Sequence, residues 1–303
     1  MQCTRPIYAS ITRLSDGSNS VKLLPRRVDQ YSRERLEELY GHNHIVPLPC
    51  GKCLACRINY ARNWAARCVL EASMHKENWF LTLTYDDENY KNIDFSNPKK
   101  EMSDFMKELR KELGKGIKFF GCGEFGTNTK RFHMHLILFN CEIPDVKCLG
   151  KVPGGYYFSS ELINKVWKKG HTLLGEVTYS SCNYVARYCL KKVYGEDHPG
   201  EFVHMSRRPG IGYSFFLENY QRIYKDDRIY FNFGNSLYQS PSRFFDKLYM
   251  TIDPVHFQEV KDKRISNADV SLASELVARG CKHKEDLYKV QENLNSSIKK
   301  RGF

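Results

Sequence analysis

Residues 121–140 read GCGEFGTNTKRFHMHLILFN, and their pattern decides the fold. From Phe132 onward the stretch has the period of a strand, in which alternate side chains share a face. His133 and His135 therefore point one way and Met134 the other. Leu136, Ile137, Leu138 and Phe139 are all apolar, which predicts a strand buried on both faces. Upstream, Lys118 to Phe120 has the composition of a second strand, and the turn-rich GTNTKR segment links the two as a hairpin. That hairpin returns Glu124 to the side of the histidines. Two imidazoles and a carboxylate with open positions fit an octahedral divalent ion, Mg²⁺ or Mn²⁺, handling phosphate. A bare His-x-His is short, and two polar residues on the wet face of a strand would read the same. The assignment therefore depends on the rest of the chain.

The chain has 303 residues, enough for one large domain or two smaller ones. Lys and Arg total 47 against 35 Asp and Glu, a formal charge of +12, and this excess favours a polyanionic partner. The 19 Tyr and 18 Phe offer rings on which unpaired bases can stack, which with the basic charge suits a single-stranded nucleic acid; rings in the core and charge for solubility would read the same. A hydrophobic fraction of 41% and a mean hydropathy of −0.55 describe a soluble globular protein. No run is apolar enough to span a membrane, and the first residues lack the apolar core of a secretion signal. With no secretion signal and 11 Cys, the thiols are expected to be reduced, so closely spaced cysteines point to metal rather than disulfides.

Such a spacing occurs at Cys50, Cys53 and Cys56, where Pro49 and Gly51 supply a tight turn. Three thiolates converge there and a structural zinc takes four ligands. Cys3 is the first choice for the fourth, His44 the second and Cys68 the third.

Elsewhere a short β piece at Ile7 to Thr12 and a charged helix over 31–40 precede the cysteines. Leu54 to His75 has no Pro or Gly, and its apolar residues recur at three- and four-residue steps, which predicts one helix. Arg57, Arg62 and Arg67 lie on it, facing phosphate or solvent. WFLTLTY (Trp79 to Tyr85) alternates as a strand, with Phe80, Thr82 and Thr84 on one face. A helix over 97–113, the hairpin, a loose segment to about residue 158, a helix over 159–169 and a strand over 171–179 follow. This order predicts an α+β fold: an antiparallel sheet with helices packed on one face and the other face open to substrate.

The next stretch, SSCNYVARYCLKKV (Ser180 to Val193), predicts a helix on which Tyr184 and Tyr188 stand one turn apart. A phenol beside a metal-bound phosphate can attack phosphorus and retain the DNA end as a phosphotyrosine. Lys191, three residues beyond Tyr188, can favour the phenolate and offset charge in the transition state.

PCGKCLACR, FLTLTYDDE, GEFG…RFHMHLILF and NYVARYCLKK, in that order from about Cys50 to Lys192, resemble the replication initiators of gokushovirus-type microviruses. Those proteins belong to the HUH endonuclease superfamily. FLTLTY resembles its first motif and His133-Met134-His135 its second, the metal site. Glu124 stands where the family places a third ligand, and Tyr184 and Tyr188 resemble the paired active tyrosines. RRPGIG (Arg207 to Gly212) is also similar. The resemblance implies an HUH/RRM-like fold and rolling-circle initiation by nicking single-stranded origin DNA through a covalent 5′-phosphotyrosine. It also implies rejoining of the strand, a host helicase and polymerase as partners, and a bacterial cytoplasm as the setting. The expected organisation is an N-terminal segment with the cysteine cluster and helix (1–76), an endonuclease core (77–194) and a partly helical C-terminal extension (195–303). Two rival readings stand beside it. A zinc-stabilised single-stranded-DNA-binding protein without catalysis would leave the histidines and tyrosines unassigned. A histidine-based phosphoester hydrolase would leave the tyrosine pair unassigned.

Overall fold

The computed structural model describes residues 3, 5–14, 19–24, 35, 44–126, 129–152, 155–188, 201–233, 235–278, 290 and 293. The chain divides into two compact units, Met1–Asn59 with Asn267–Phe303, and Tyr60–Ser266.

In the first unit, β1 (Ile7–Arg13) lies between β2 (Asn19–Leu23) and β3 (His44–Leu48) in an antiparallel sheet. The charged helix expected over 31–40 lies outside the described residues, apart from a helical Arg35.

The second unit is organised on a larger sheet. Its strands are β4 (Asn78–Thr84), β5 (Lys118–Phe125), β6 (Phe132–Phe139), β7 (Lys147–Val152), β8 (Gly155–Ser159), β9 (Thr172–Glu176) and β10 (Phe202–Met205). They run β10-β5-β6-β4-β9-β8-β7, and every neighbouring pair is antiparallel. The helices are α1 (Leu54–Ala72), α2 (Asp87–Tyr90), α3 (Lys99–Leu113), α4 (Glu161–Trp167), α5 (Tyr179–Tyr188), α6 (Tyr213–Asp226), α7 (Arg243–Ile252) and α8 (Pro254–Ala278). The α+β class and the antiparallel sheet are as the periodicity predicts.

Both faces of this sheet carry helices, rather than one. The cause lies in β6, whose apolar residues alternate between two cores. Met134, Leu136 and Leu138 pack with Met102, Phe105 and Leu109 of α3 and with Ile163 and Trp167 of α4. Ile137 and Phe139 face the other way and pack with Ala65 and Val69 of α1, Val185 of α5 and Phe216 of α6. Each of these large side chains contributes about 1.5–3 kcal/mol through burial. The histidine end of β6 lies beyond the second cluster, so that face is covered at one end and carries the polar residues at the other.

Helix α1 is shorter than its apolar periodicity predicts. It ends at Ala72 because the Asn78 amide donates to the carbonyl oxygens of Ala72 (2.9 Å) and His75 (3.2 Å), satisfying groups that a further turn would have used. Arg67, on the same helix, is half-buried between two rings. Its guanidinium lies 4.1 Å from the Trp64 ring centre and 3.9 Å from that of Phe244, and it donates twice to the Ile211 carbonyl. One turn on, the fully buried Glu71 receives the Gly212 N–H at 2.7 Å and the Lys118 ammonium at 2.7 Å, with His75 at 3.0 Å.

Residues from the expected extension, 195–303, contribute to the sheet and to its core. Phe202–Met205 hydrogen-bonds to β5 as the edge strand of the sheet, and Phe216, Ile223, Tyr224, Phe245 and Tyr249 complete the core on the histidine side. The Gly-, Pro- and Arg-rich composition of 195–212 reads as loop, yet it contains this strand. The aromatics that follow fill the core, with Tyr224 and Tyr249 stacked at 3.8 Å between ring centres. Most of α1, from Tyr60 onward, belongs to the second unit, where Ala61, Ala65 and Val69 join its core.

Candidate active site

Three adjacent strands bring the polar residues together. Register pairs Glu124 of β5 and Thr84 of β4 with His133 of β6, and Cys122 and Thr82 with His135. Directly opposed residues of an antiparallel pair share a face, so Glu124, His133, His135 and Thr82 all point to one side. The hairpin between β5 and β6 is closed by Gly126 N–H to the Arg131 carbonyl (2.9 Å) and by Lys130 N–H to the Gly126 carbonyl (3.0 Å), with Lys130 at φ +54°. Gly123 permits close packing next to the carboxylate. A side chain there would begin 2.5 Å from the Phe202 ring and 2.6 Å from that of Phe132, on the opposite face from Glu124.

Glu124 and His135 are buried, and His133 is half-buried. The Nε2 atoms of His133 and His135 each stand 3.1 Å from Glu124 Oε1. One ligand atom from each residue lies within 4.8 Å of the others, a group that could hold a metal ion. Both ring nitrogens of His133 face acceptors, Nδ1 the Arg131 carbonyl at 3.1 Å and Nε2 the Glu124 carboxylate at 3.1 Å. His135 Nδ1 shares a 3.0 Å hydrogen bond with the Thr82 hydroxyl. His135 Nε2 is buried with no hydrogen-bond partner despite its closeness to the carboxylate. Burial pushes the Glu124 pKa up but is outweighed by the pull of His133 and His135, so the net shift is downward. Burial pushes His135 down, against the pull of Glu124.

Tyr184 joins this group from α5. The Thr178 hydroxyl accepts from Ser181 N–H (3.1 Å) and the Ser181 hydroxyl accepts from Thr178 N–H (2.8 Å), a reciprocal cap at the start of the helix. Cys182, Val185 and Ala186 are buried against the sheet. Tyr184 is on the shoulder of that face, 37% exposed, and its hydroxyl donates to Glu124 Oε1 at 3.0 Å. Its ring meets those of His135 (5.2 Å, 85°) and Phe80 (6.3 Å, 86°) edge-on, and Phe80 stacks on His135 at 5.5 Å and 11°. Tyr188 closes the helix four residues later. Its side chain, and Lys191, lie outside the described residues.

Residues 78–193 match the family model of the replication-associated protein ORF2. Over 320 aligned residues the chain is 30% identical to replication-associated protein ORF2 of Spiroplasma virus 4, covering 99% of this chain and 97% of that one. It is also 30% identical to replication-associated protein VP4 of Bdellovibrio phage phiMH2K, over 95% of this chain and 87% of the relative. The chain belongs to this family of phage replication-associated proteins. A third member, replication-associated protein ORF4 of Chlamydia phage 1, is 30% identical over 64% of this chain and 53% of its own length. No solved structure matches the chain.

The family match spans the strands and helix that carry Glu124, His133, His135 and Tyr184. The chain also has a second group that could hold a metal ion, in its first unit. Cys3, Cys50, Cys53 and Cys56 have their sulfurs within 4.8 Å of one another. Cys3 and Cys53 Sγ are 3.8 Å apart, and Cys50 and Cys56 Sγ 4.0 Å. Gly51, at φ +70°, makes the turn that lets Lys52 N–H (3.3 Å) and Cys53 N–H (3.2 Å) both donate to Cys50 Sγ. Cys68 is buried in the core of the second unit, and the His44 side chain lies outside the described residues. No helix among the described residues is long and apolar enough to cross a membrane.

The alternation of WFLTLTY puts Thr82 on the site's face without giving it a role. The signal for one is its place in the strand, two residues after Phe80 and directly across from His135.

Proposed function

We propose that this protein initiates rolling-circle replication by nicking single-stranded phage DNA at its origin, with a tyrosine as nucleophile. The observation that carries this reading is the 3.0 Å hydrogen bond from the Tyr184 hydroxyl to Glu124, the carboxylate both histidines face. One nitrogen each of His133 and His135 and a carboxylate oxygen of Glu124 lie within 4.8 Å of one another, a donor set that fits a hard divalent cation. Mg²⁺ or Mn²⁺ bound there supplies Lewis-acid polarisation of the scissile phosphate.

The chain's own residues supply the rest. Glu124 holds the Tyr184 hydroxyl at the site and presents an oxygen toward which the phenolic proton already points. The phenolic oxygen attacks phosphorus, the bond from phosphorus to the 3′ oxygen breaks, and that oxygen leaves as a 3′ hydroxyl that primes synthesis. The phosphodiester energy is retained in the 5′-phosphotyrosine, so the strand can be rejoined without ATP. Tyr188, one turn on in the same helix, serves as the second nucleophile when the regenerated origin is cut, and Lys191 supports the phenolate.

A structural zinc on Cys3, Cys50, Cys53 and Cys56 completes the proposal. Four sulfurs about 2.3 Å from a tetrahedral zinc lie roughly 3.8 Å apart, and the two separations of 3.8 and 4.0 Å agree with that edge. The work takes place in the cytoplasm of the infected bacterium, with the host helicase and polymerase extending the primed strand. Incubation with end-labelled single-stranded origin DNA, followed by a denaturing gel, tests this reading. A covalent adduct supports it. Binding without cleavage would favour a DNA-binding protein, and turnover without adduct a hydrolase.

A further inference from the structure

We propose that Thr82 is a positioning residue that sets which nitrogen of His135 is free to bind the cation. The inference rests on the metal reading of Glu124, His133 and His135.

A neutral imidazole carries one N–H, and the hydrogen bond made by one nitrogen decides the state of the other. At His133 the nitrogen away from the carboxylate, Nδ1, faces a main-chain carbonyl, that of Arg131, which no side-chain substitution removes. At His135 the partner is a side chain. The Thr82 hydroxyl lies 3.0 Å from Nδ1, from the position directly opposite in the strand pair. A hydroxyl that accepts the Nδ1 proton leaves a lone pair on Nε2. Nε2 is buried and stands 3.1 Å from Glu124 Oε1, outside hydrogen-bond alignment, so a lone pair there and the carboxylate would both face a cation held between them.

The ring plane is held from the same strand. Phe80, two residues before Thr82, stacks on His135 at 11°. Stacking fixes the plane but not which edge faces the carboxylate, because a half-turn of the ring leaves the stack intact. The Thr82 bond separates the two edges. β4 thus supplies one support for orientation and another for proton placement.

The test uses the full chain labelled with ¹⁵N, first without added Mn²⁺ and then titrated with it. Long-range nitrogen–proton spectra read the His135 tautomer directly. The wild type is expected to carry the proton on Nδ1. Thr82→Val keeps the branched shape and removes the hydroxyl. It is expected to lose that preference and to weaken Mn²⁺ binding about tenfold or more, the usual loss for an outer-shell partner. Thr82→Ser, which keeps the hydroxyl, is expected to restore both, an outcome that a purely packing role would not give. A wild-type His135 protonated on Nε2, or Thr82→Val with wild-type tautomer and Mn²⁺ affinity, overturns the proposal. A wild type that binds no Mn²⁺ would sink the metal reading, while the metal-free tautomer comparison still decides whether Thr82 places the His135 proton.

Discussion

The Tyr184 hydroxyl donates to Glu124 Oε1 at 3.0 Å, so the carboxylate grouped with the two histidines also holds the phenol. One oxygen therefore relates the proposed nucleophile to the proposed metal site. Glu124→Gln keeps the size of the side chain and removes its charge. It is expected to lower cleavage at least about a hundredfold, the equivalent of about 3 kcal/mol of lost transition-state stabilisation. His133→Ala is expected to abolish nicking in Mg²⁺. Both variants should keep a normal far-UV spectrum and most of the affinity for single-stranded DNA in a gel-shift assay. Cleavage by His133→Ala at the normal rate would remove the metal assignment.

The four thiols of the first unit require a cation to be held together as thiolates. Burial pushes the Cys3 thiol up, and at Cys56 burial and the neighbouring thiols act in the same direction. Elemental analysis of purified protein is expected to find about one zinc per chain. Cys53→Ser should lose it. Zinc-free protein that stays folded and active would end this part of the account.

Acid stability is expected to depend on Glu71. Burial raises its pKa, but His75, Lys118 and the Gly212 N–H outweigh that, and the net shift is below the ordinary carboxylate value. A depressed folded pKa means stabilisation that is present above the unfolded value, about 4.3, and is lost as pH falls through the folded one. Thermal unfolding temperatures should therefore drop steeply below about pH 4 in the wild type. Glu71→Gln leaves Lys118 buried without its counter-charge and is expected to cost about 3–5 kcal/mol at neutral pH. Its acid limb should be flatter. An unchanged melting temperature at pH 7 would show that the Glu71 network does not hold the Ile211–Gly212 backbone.

Much of this was legible in residue order. The period-2 patterns of WFLTLTY and FHMHLILF placed two central strands, and His-x-His with Glu124 located the candidate metal group. The β7–β8 hairpin was not legible because it lies at the sheet's far edge, where β7 is almost wholly exposed and no apolar alternation marks it. Residues 202–205 were hidden by a Gly/Pro-rich context. The role of Arg67 could not be read either, since a basic residue on a helix looks the same whether it meets phosphate or lies between two rings. Thr82 needed the cross-strand register, which only the fold supplies.

The most direct test of the central claim is to map the covalent link. Single-stranded origin oligonucleotide is incubated with the protein and Mg²⁺, the adduct is digested, and the modified peptide is sequenced by mass spectrometry. Tyr→Phe keeps the ring and removes only the hydroxyl. At Tyr184 the hydrogen bond lost to the Glu124 carboxylate is worth about 1.5–3 kcal/mol, so the protein should still fold. The account predicts a phosphotyrosine on Tyr184 in the wild type and in Tyr188→Phe, some adduct on Tyr188 in Tyr184→Phe, and none in the double variant. An adduct that persists in the double variant, or cleavage by the wild type with no covalent intermediate, would contradict it.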